Sequence, residues 1–225
     1  MKLLKANFEI LTPISDGGIK ELRHIEKIGR VCYKSEGKIT EDGESAKKFV
    51  KMLIDRGHEA MIEHSSMSVK FVVDRGVSHE LVRHRIASFA QESTRYVNYS
   101  LDKFGNEINV IDIFGGIKLD NKMKNIDAQT INFIINEWYQ AMGDAEKHYM
   151  KMMELGATPQ IARSVLPNST KTEITITANY REWRNFFKLR VPSAAHPQMR
   201  EVTIPLLKEL KTRLPIIFDD IETEE

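Results

Sequence analysis

The chain has 225 residues, enough for one large domain or two small ones with a buried core. Its 33 Lys and Arg residues against 32 Asp and Glu residues give a net charge of +1, which disfavours a dedicated nucleic-acid-binding protein. A single cysteine excludes an internal disulfide framework. We expect neither a signal peptide nor a membrane segment, so the predicted location is the cytoplasm.

The N-terminal part predicts one strand and two helices. Apolar and polar residues alternate from Leu3 to Leu11, which is typical of a strand. Apolar residues at helical spacing then predict a helix from Ile19 to Val31 or Tyr33. Ser45 is the expected cap of a second helix, which ends at Gly57.

Two features of this part resemble reactive sites. Cys32 lies at a helix end without a neighbouring base, so we expect a small core residue rather than a nucleophile. His58 and His64 have the wrong spacing for a zinc-binding helix, which uses positions i and i+4, and no metal is predicted. His58 is interpreted as a loop residue facing a pocket, and a surface or core-hydrogen-bonded histidine fits the sequence equally well.

The next elements are a strand, a short helix and another strand. Strict alternation from Met67 to Val73 predicts the first strand. Ser78 is expected to cap a helix that reaches about His84. The apolar run from Ile108 to Phe114 predicts the second strand, bounded by Gly115 and Gly116.

The longest predicted helix runs from about Asp127 to Leu155, with Gly156 as its stop. Its methionine and aromatic stripe indicates a core or subunit-packing face rather than a cofactor site. A short helix from Pro159 to Leu166 follows and carries Arg163.

The last part predicts a strand from Thr172 to Ala178 that leads into a helix ending at Arg190. Polar residues at this junction are typical either of a ligand-binding wall or of a solvent-facing helix; they are Asn179, Arg181, Asn185 and Arg190. A further amphipathic helix is expected from Met199 to Leu214, and the acidic tail from Asp219 to Glu225 is expected to fray. The whole pattern predicts one α+β domain over residues 1–225, with long helices packed on a small, largely antiparallel β-sheet.

The most unusual segment runs from Arg83 to Tyr96. Arg83-His84-Arg85 is a dense set of donors for phosphate or carboxylate oxygens, and Ser93 with Arg95 offers a second anion-binding group. Apolar residues between these positions argue against a fully solvated turn. The sequence contains no Walker loop, dinucleotide-binding glycine motif, nucleophile elbow or catalytic cysteine motif.

Arg83-His84-Arg85, seven residues and then Ser93 resemble the R-H-R-x7-S signature of the flavin-dependent thymidylate synthase family. Supporting segments follow the family's order: Gly57-His58-Glu59, Glu63-His64, Arg163 before Leu166-Pro167, Asn179-x-Arg181, Asn185, Leu189-Arg190 and His196-Pro197-Gln198. The resemblance covers nearly the whole chain. It implies transfer of a one-carbon unit from methylenetetrahydrofolate to C5 of dUMP, with FAD reduced by NADPH as the hydride donor and no enzyme cysteine.

The resemblance also implies residue roles and partners. Arg190 is implied to act in catalysis at the uracil edge, and dUMP is expected to contact Glu80, Leu81, Val82, Arg83, Gln91, Glu92, Ser93, Thr94, Arg95, Arg163 and Arg190. The expected FAD contacts are Ala60, Glu63, Arg83, His84, Arg85, Gln91, Asn179, Tyr180, Arg181 and Asn185. His58 and Tyr96 are expected on the folate or nicotinamide side. A homotetramer with shared active sites is implied.

Three positions depart from the common family pattern, since Gln91, Thr94 and Ala60 stand where the family often has Glu, Gly and Thr. Two other functions remain open at this point. One is a module that binds a phosphorylated ligand or RNA through the Arg83–Arg95 segment. The other is a flavoprotein of the same fold without thymidylate synthesis.

Overall fold

The computed structural model describes residues 1–102 and 105–223. Its strands are β1 (Lys2–Leu4), β2 (Asn7–Ile10), β3 (Ser66–Asp74), β4 (Ala87–Gln91), β5 (Asn109–Ile111) and β6 (Lys171–Asn179). Its helices are α1 (Ile19–Tyr33), α2 (Glu44–Asp55), α3 (Arg75–Leu81), α4 (Phe114–Leu119), α5 (Ala128–Glu154), α6 (Pro159–Ala162), α7 (Tyr180–Arg190), α8 (Pro197–Arg213) and α9 (Pro215–Phe218). Short 3₁₀ segments include Glu59–His64 and Arg163–Val165.

The main sheet is antiparallel and has the strand order β2-β3-β6-β4 within the described residues. Its centre is the β3–β6 pair, which is in register from Ser66 opposite Asn179 to Asp74 opposite Lys171. Alternate residues of both strands are buried, as the sequence alternation predicts. The predicted α+β class and largely antiparallel sheet are therefore confirmed.

Two hydrophobic clusters stabilise the fold. The larger one packs the inner face of the main sheet against α1, α2, α7 and α8. In it, Trp183 is buried and its indole N–H donates to the carbonyl of Met67 at 3.0 Å, which fixes α7 against β3. The smaller cluster lies under α5, where Tyr99, Val110 and Tyr149 are buried.

Several predicted elements are shorter or divided. The segment from Leu3 to Leu11 is two strands, because β1 pairs in parallel with β5 whereas β2 pairs with β3. The predicted strand ending at Phe114 stops at Ile111. Gly115 and Gly116 lie inside α4 rather than beyond a strand. Glycine is needed at both positions because a Cβ there would lie within 3 Å of Glu201 or Gln198 of α8.

The predicted caps are wrong at two helices. Helix α2 begins after Gly43, whose positive φ of 80° suits glycine, and Ser45 instead donates to Glu26 at 2.8 Å. Helix α3 is capped by Asp74, whose carboxylate accepts the N–H of Val77 at 2.6 Å, because the carboxylate reaches the first turn from the end of β3. Ser78 lies within that helix.

Two further expectations about exposure are corrected. Cys32 is exposed, since it lies on the outer side of the last turn of α1. The C-terminal tail does not fray at Asp220, because the buried Arg184 binds its carboxylate through two N–H groups. Glu224 and Glu225, the end of that predicted tail, lie outside the described residues.

The long helix α5 is confirmed, and Asp127 caps it. Its predicted apolar stripe includes the buried Met142 and Tyr149, but Phe133 and Tyr139 on the same helix are exposed. The described helices include none that is long and apolar enough to cross a membrane.

Candidate functional site

Helix α7 begins where β6 ends, and this junction positions the polar residues predicted from the sequence. The side chain of Asn179 accepts the N–H of Glu182 at 2.8 Å, so Asn179 is the N-cap of the helix. The opposite face buries Trp183, Phe186 and Phe187 against the sheet. The polar face of α7 is thereby directed away from the core.

At the C-terminal end of α7, Arg190 is held by two other segments of the chain. Its Nε donates to Nε2 of His84 at 3.1 Å. Its Nη1 donates to the Glu80 carboxylate at 2.7 Å and its Nη2 to the Glu80 carbonyl at 3.2 Å. A guanidinium has five N–H groups, so two donors of Arg190 have no partner among the described residues.

His84 is buried and is part of the same network. Its Nδ1 lies 2.9 Å from Glu182 Oε1, and its ring packs edge-on against Phe186 at 4.9 Å between centroids. Burial lowers the pKa of His84, and the adjacent Arg190 lowers it further against the opposing effect of Glu182. The imidazole is therefore neutral at pH 7.

A cleft of about 450 Å³ lies beside the N-terminal part of α7, and we call it the α7 cleft. Its lining residues are Glu59, Glu63, Ile86, Asn179, Arg181, Glu182, Asn185 and Lys188. Four of them, namely Glu63, Asn179, Arg181 and Asn185, belong to the predicted flavin contacts. Arg181 is exposed and pairs with Glu63 at 2.5 Å, so both side chains are accessible to a ligand.

A second cleft, of about 470 Å³, lies beside α6 and is called the α6 cleft. It is basic, and its lining residues are Arg75, His79, Thr94, Gln160, Arg163, Ser164, Leu166, Pro167 and Asn168. It brings together two predicted nucleotide contacts, because Arg163 donates to the hydroxyl of Thr94 at 3.5 Å. The Nε of Arg75 is buried and has no partner among the described residues.

The two clefts are at opposite ends of β4. Ala87 is opposite Ala178, next to Asn179 of the α7 cleft, whereas Gln91 is opposite Ile174 and precedes Thr94 of the α6 cleft. A strand advances about 3.3 Å per residue, so β4 separates the two ends by roughly 13 Å. One chain therefore presents two separate clefts, the α7 cleft and the α6 cleft.

Other predicted site residues have varied environments. Arg83, Arg85, His58, Ala60 and Tyr96 are exposed. Leu81 and Tyr180 are buried in the core, so only their backbones are accessible to a ligand.

The remaining predicted nucleotide contacts lie near the far end of β4. The Gln91 amide donates to the hydroxyls of Ser78 and Thr172, and Glu92 accepts from Lys171 at 3.0 Å. Arg95 donates to Gln160 at 3.2 Å and Ser93 is partly buried, while Val82 is exposed. The ligand roles of these side chains stay predictions.

The sequence analysis missed several residues of the two clefts. They are Glu59, Ile86, Glu182 and Lys188 at the α7 cleft and Arg75, His79 and Gln160 at the α6 cleft. Glu182 and Lys188 lie in the same helix as predicted contacts, and their helical spacing was an available signal. No local pattern marks Arg75, because it reaches the α6 cleft from the end of β3. Within the described residues, no group of three His, Cys, Asp or Glu side chains is arranged to hold a metal.

These features define a class of protein: an α+β protein with a basic cleft beside α6 and a second cleft beside α7 that is lined by amides and ion-paired side chains. Comparison with known proteins agrees. The family model described as thymidylate synthase complementing protein matches residues 19–216. The flavin-dependent thymidylate synthase of Corynebacterium aurimucosum is 31% identical over 212 residues, which cover 92% of this chain and 82% of that protein. The enzyme of the same name from Mycobacterium sp. strain KMS is 32% identical over 207 residues, covering 88% and 79%. The chain belongs to the flavin-dependent thymidylate synthase family.

The fold is also shared with a solved structure. The UMP/dUMP methylase PolB from Streptomyces cacaoi, bound with 5-Br dUMP, has a TM-score of 0.77 and 21% identity. The match covers 97% of this chain and 96% of that one.

Proposed function

We propose that the protein is a flavin-dependent thymidylate synthase, a methyltransferase that makes dTMP from dUMP with methylenetetrahydrofolate as the carbon donor. The main structural support is the environment of Arg190, which is held by His84 and Glu80 and keeps two N–H groups for a ligand. The reaction itself is inferred from the family to which the chain belongs, since the relatives that it matches are named flavin-dependent thymidylate synthases.

Arg190 has the properties needed to activate the uracil ring. Carbon C5 reacts with the electrophilic carbon donor when the ring is electron-rich, as it is once N3 has lost its proton and negative charge lies on N3 and O2. Donors fixed before the reaction stabilise such charge without reorganisation, and removal of one typically costs about 10²–10³-fold in rate. The partly buried guanidinium of Arg190, whose side chain is 18% exposed, is suited to this role.

The α7 cleft offers donors for FAD. Arg181 and Lys188, which pair with Glu63 and Glu59 in the free chain, are the cations for the pyrophosphate. Asn179 and Asn185 offer amides to the flat ring or the ribose. Bound FAD, reduced by NADPH, would supply the hydride that completes the methyl group. The residues of the cleft would bind and orient it.

The α6 cleft fits the phosphate of the nucleotide. Arg75 and Arg163 face the same cleft, and Thr94 adds a hydroxyl beside them. Arginine binds phosphate oxygens in a fixed bidentate geometry. Ser93 and Arg95 extend this donor set on the adjoining turn.

Separation of the two clefts supports a homotetramer in which active sites are shared between subunits. The proposed FAD contacts line the α7 cleft and the proposed phosphate contacts line the α6 cleft, and these clefts lie at opposite ends of β4. One reaction needs both ligands, so each cleft would be a half-site. Large exposed apolar side chains lie close to both half-sites, namely Val82, Ile86, Tyr96 and Leu189. A neighbouring subunit would cover them and bring complementary half-sites together.

The lone cysteine has no part in the proposed reaction. Cys32 is exposed on α1, and it lines neither cleft. Activation of uracil therefore rests on Arg190, without a covalent bond to a thiol. Cys32→Ser should keep at least half of the activity, and a folded but inactive variant would restore the thiol mechanism.

The direct test is an assay for dTMP from dUMP, methylenetetrahydrofolate, NADPH and FAD, with each component omitted in turn. Formation of dTMP that needs FAD supports the proposal. A colourless protein that binds no FAD and makes no dTMP contradicts it, and phosphate or RNA binding would then be tested as the function of the Arg83–Arg95 segment.

Shared active sites are tested by complementation. Arg163→Ala and Arg190→Ala are each expected to be nearly inactive, and the two variants are mixed, unfolded and refolded together. If the residues of one site come from different subunits, the mixed oligomers regain a measurable part of the wild-type activity. Recovery no greater than the sum of the two variants would place each complete site within one chain.

A further inference from the structure

His84 has a set of partners that its position in the Arg-His-Arg segment does not suggest. Its imidazole is only 6% exposed, whereas both flanking arginines are exposed. It lies between Glu182 and Arg190 of α7, at 2.9 and 3.1 Å. The ring is therefore directed inward, to the network of α7.

The hydrogen bonds determine which nitrogen of His84 carries the proton. Arg190 Nε is always a donor, so Nε2 of His84 must accept and is unprotonated. Nδ1 then carries the proton and donates to the carboxylate of Glu182. Glu182 thus selects the tautomer that Arg190 needs.

Glu182 is itself held in place. It is 8% exposed, its backbone N–H is bound by the cap residue Asn179, and both its carboxylate oxygens lie 3.3 Å from the amide of Asn185. A carboxylate in the first turn of a helix is also stabilised by the helix dipole. Glu182 is therefore held rigidly, and it in turn fixes His84, which fixes Arg190.

We propose that Glu182 and His84 are a positioning pair for Arg190, so that His84 acts on the nucleotide through the guanidinium rather than by binding the flavin. This inference rests on the proposed function. A free arginine side chain has about 2 kcal/mol of rotamer entropy. His84 fixes Nε while Glu80 fixes both Nη atoms, which leaves one orientation for the two remaining donors.

The Glu182–His84 pair should make activity depend on pH, with a loss of activity, here called the acid limit, when His84 is protonated. Protonated His84 has no acceptor for Arg190 and places a second cation beside it. The groups that face this network are Glu182 and Arg190 on α7 and Glu80 on α3. Activity should therefore fall as His84 becomes protonated, and this should occur at a pH below the ordinary pKa of a histidine side chain.

The test compares His84→Gln, His84→Phe, Glu182→Gln and Glu182→Met with wild type. Glutamine offers an acceptor to Arg190 and does not titrate, whereas phenylalanine keeps the ring contact with Phe186 and offers no acceptor. We expect His84→Phe to lower kcat about 10²-fold with less than about 3-fold change in the KM for dUMP. His84→Gln should keep at least about a third of kcat and lose the acid limit.

The two variants of Glu182 test the tautomer separately. In Glu182→Met, without an acceptor for Nδ1–H, nothing keeps the imidazole proton on Nδ1, so Nε2 no longer accepts reliably from Arg190 and kcat should again fall at least about 10-fold. Glu182→Gln keeps an amide oxygen as acceptor and should retain most of kcat. His24→Phe, an exposed substitution on α1, is the matched control. Thermal unfolding and bound FAD per subunit are measured for every variant. Normal kcat with lost FAD in His84→Phe would assign His84 to flavin binding and overturn the proposal.

A second measurement remains valid if the wild-type protein makes no dTMP. The Arg190 Nε–H resonance, assigned by its absence in Arg190→Lys, is followed in ¹⁵N-arginine-labelled protein. Slow proton exchange in wild type and in His84→Gln, with fast exchange in a folded His84→Phe, supports the positioning pair. Unchanged slow exchange in His84→Phe overturns it, whatever the outcome of the dTMP assay.

Discussion

Helix α7 carries two arginine clusters that differ in how completely their hydrogen bonds are satisfied. Arg184 is 2% exposed and donates to Glu59, to the carbonyl of Ile217 and through two N–H groups to Asp220. Arg190 is partly exposed, and its contacts with His84 and Glu80 leave two donors for a ligand. The first cluster ties the C-terminal segment to the wall of the α7 cleft. The difference supports a structural role for Arg184 and agrees with the catalytic role proposed for Arg190.

Removal of Arg190 should have the largest effect on activity. Arg190→Ala should lower the rate of dTMP formation at least about 10²–10³-fold, because the donors to the uracil edge are lost. Bound FAD and the unfolding temperature should change little, since Arg190 lies outside the α7 cleft lining. Arg213→Ala, which removes an exposed ion pair with Glu209, is the matched control. Near-normal turnover by Arg190→Ala would remove Arg190 from the mechanism.

Removal of Arg184 should instead affect stability. Arg184→Met should lower the free energy of unfolding by about 3 kcal/mol, because Glu59 loses a buried partner and Asp220 is released. Thermal unfolding measured at pH 7 checks this, and a fall of roughly 6–12 °C corresponds to that energy. At 20 °C the folded variant should keep most of its turnover per bound FAD. A selective loss of turnover with unchanged stability would reverse the roles of the two clusters.

Asn179 combines both kinds of role, and two substitutions separate them. Asn179→Ala should lose about 1 kcal/mol of stability, because α7 loses its cap. Asn179→Asp keeps an acceptor for the Glu182 N–H, so stability should be retained, while FAD affinity falls with the loss of the amide donor. Titration of FAD by fluorescence and thermal unfolding give the two values. Unchanged FAD affinity in both variants would exclude Asn179 as a flavin contact.

The smallest expected effect concerns Glu201 of α8, which belongs to neither arginine cluster. Burial and the nearby Asp112 and Asp74 raise its pKa to about 7, against a smaller lowering by Lys5. The folded state therefore holds a proton that the unfolded state releases between about pH 4.5 and 7, and stability falls as pH rises through this window. Because Glu201 is only partly buried, Glu201→Gln should add about 1 kcal/mol at pH 8. Equal stability of variant and wild type at pH 8 and at pH 5 would contradict this.

Much of the architecture follows from the sequence because it depends on local patterns. Alternation predicts β3 and β6, and helical spacing predicts α1, α5 and α7 close to their observed bounds. Local patterns failed where tertiary contacts decide, as at Ser78, where Asp74 takes the cap position. The exposure of Cys32 has the same origin, since the sequence does not show which side of a helix end is covered.

The candidate site was predicted only in part. Asn179, Arg181 and Asn185 of the α7 cleft are close together in sequence, and their pattern marks them. The contact of His84 with Arg190 joins residues 106 positions apart, and its contact with Glu182 joins residues 98 apart. Such contacts depend on strand register, which no local pattern specifies. The separation of the two clefts along β4 has the same origin.

The central claim is that the protein makes dTMP with a hydride from reduced flavin and with Arg190 in place of a cysteine. The most direct measurement is the deuterium content of dTMP formed in deuterium oxide from dUMP, methylenetetrahydrofolate, NADPH and FAD. The N–H groups of reduced flavin exchange with solvent, so wild type and Cys32→Ser should place deuterium in the methyl group of dTMP. Arg190→Ala should form almost no dTMP. A methyl group without deuterium, or full activity of Arg190→Ala, would contradict the account.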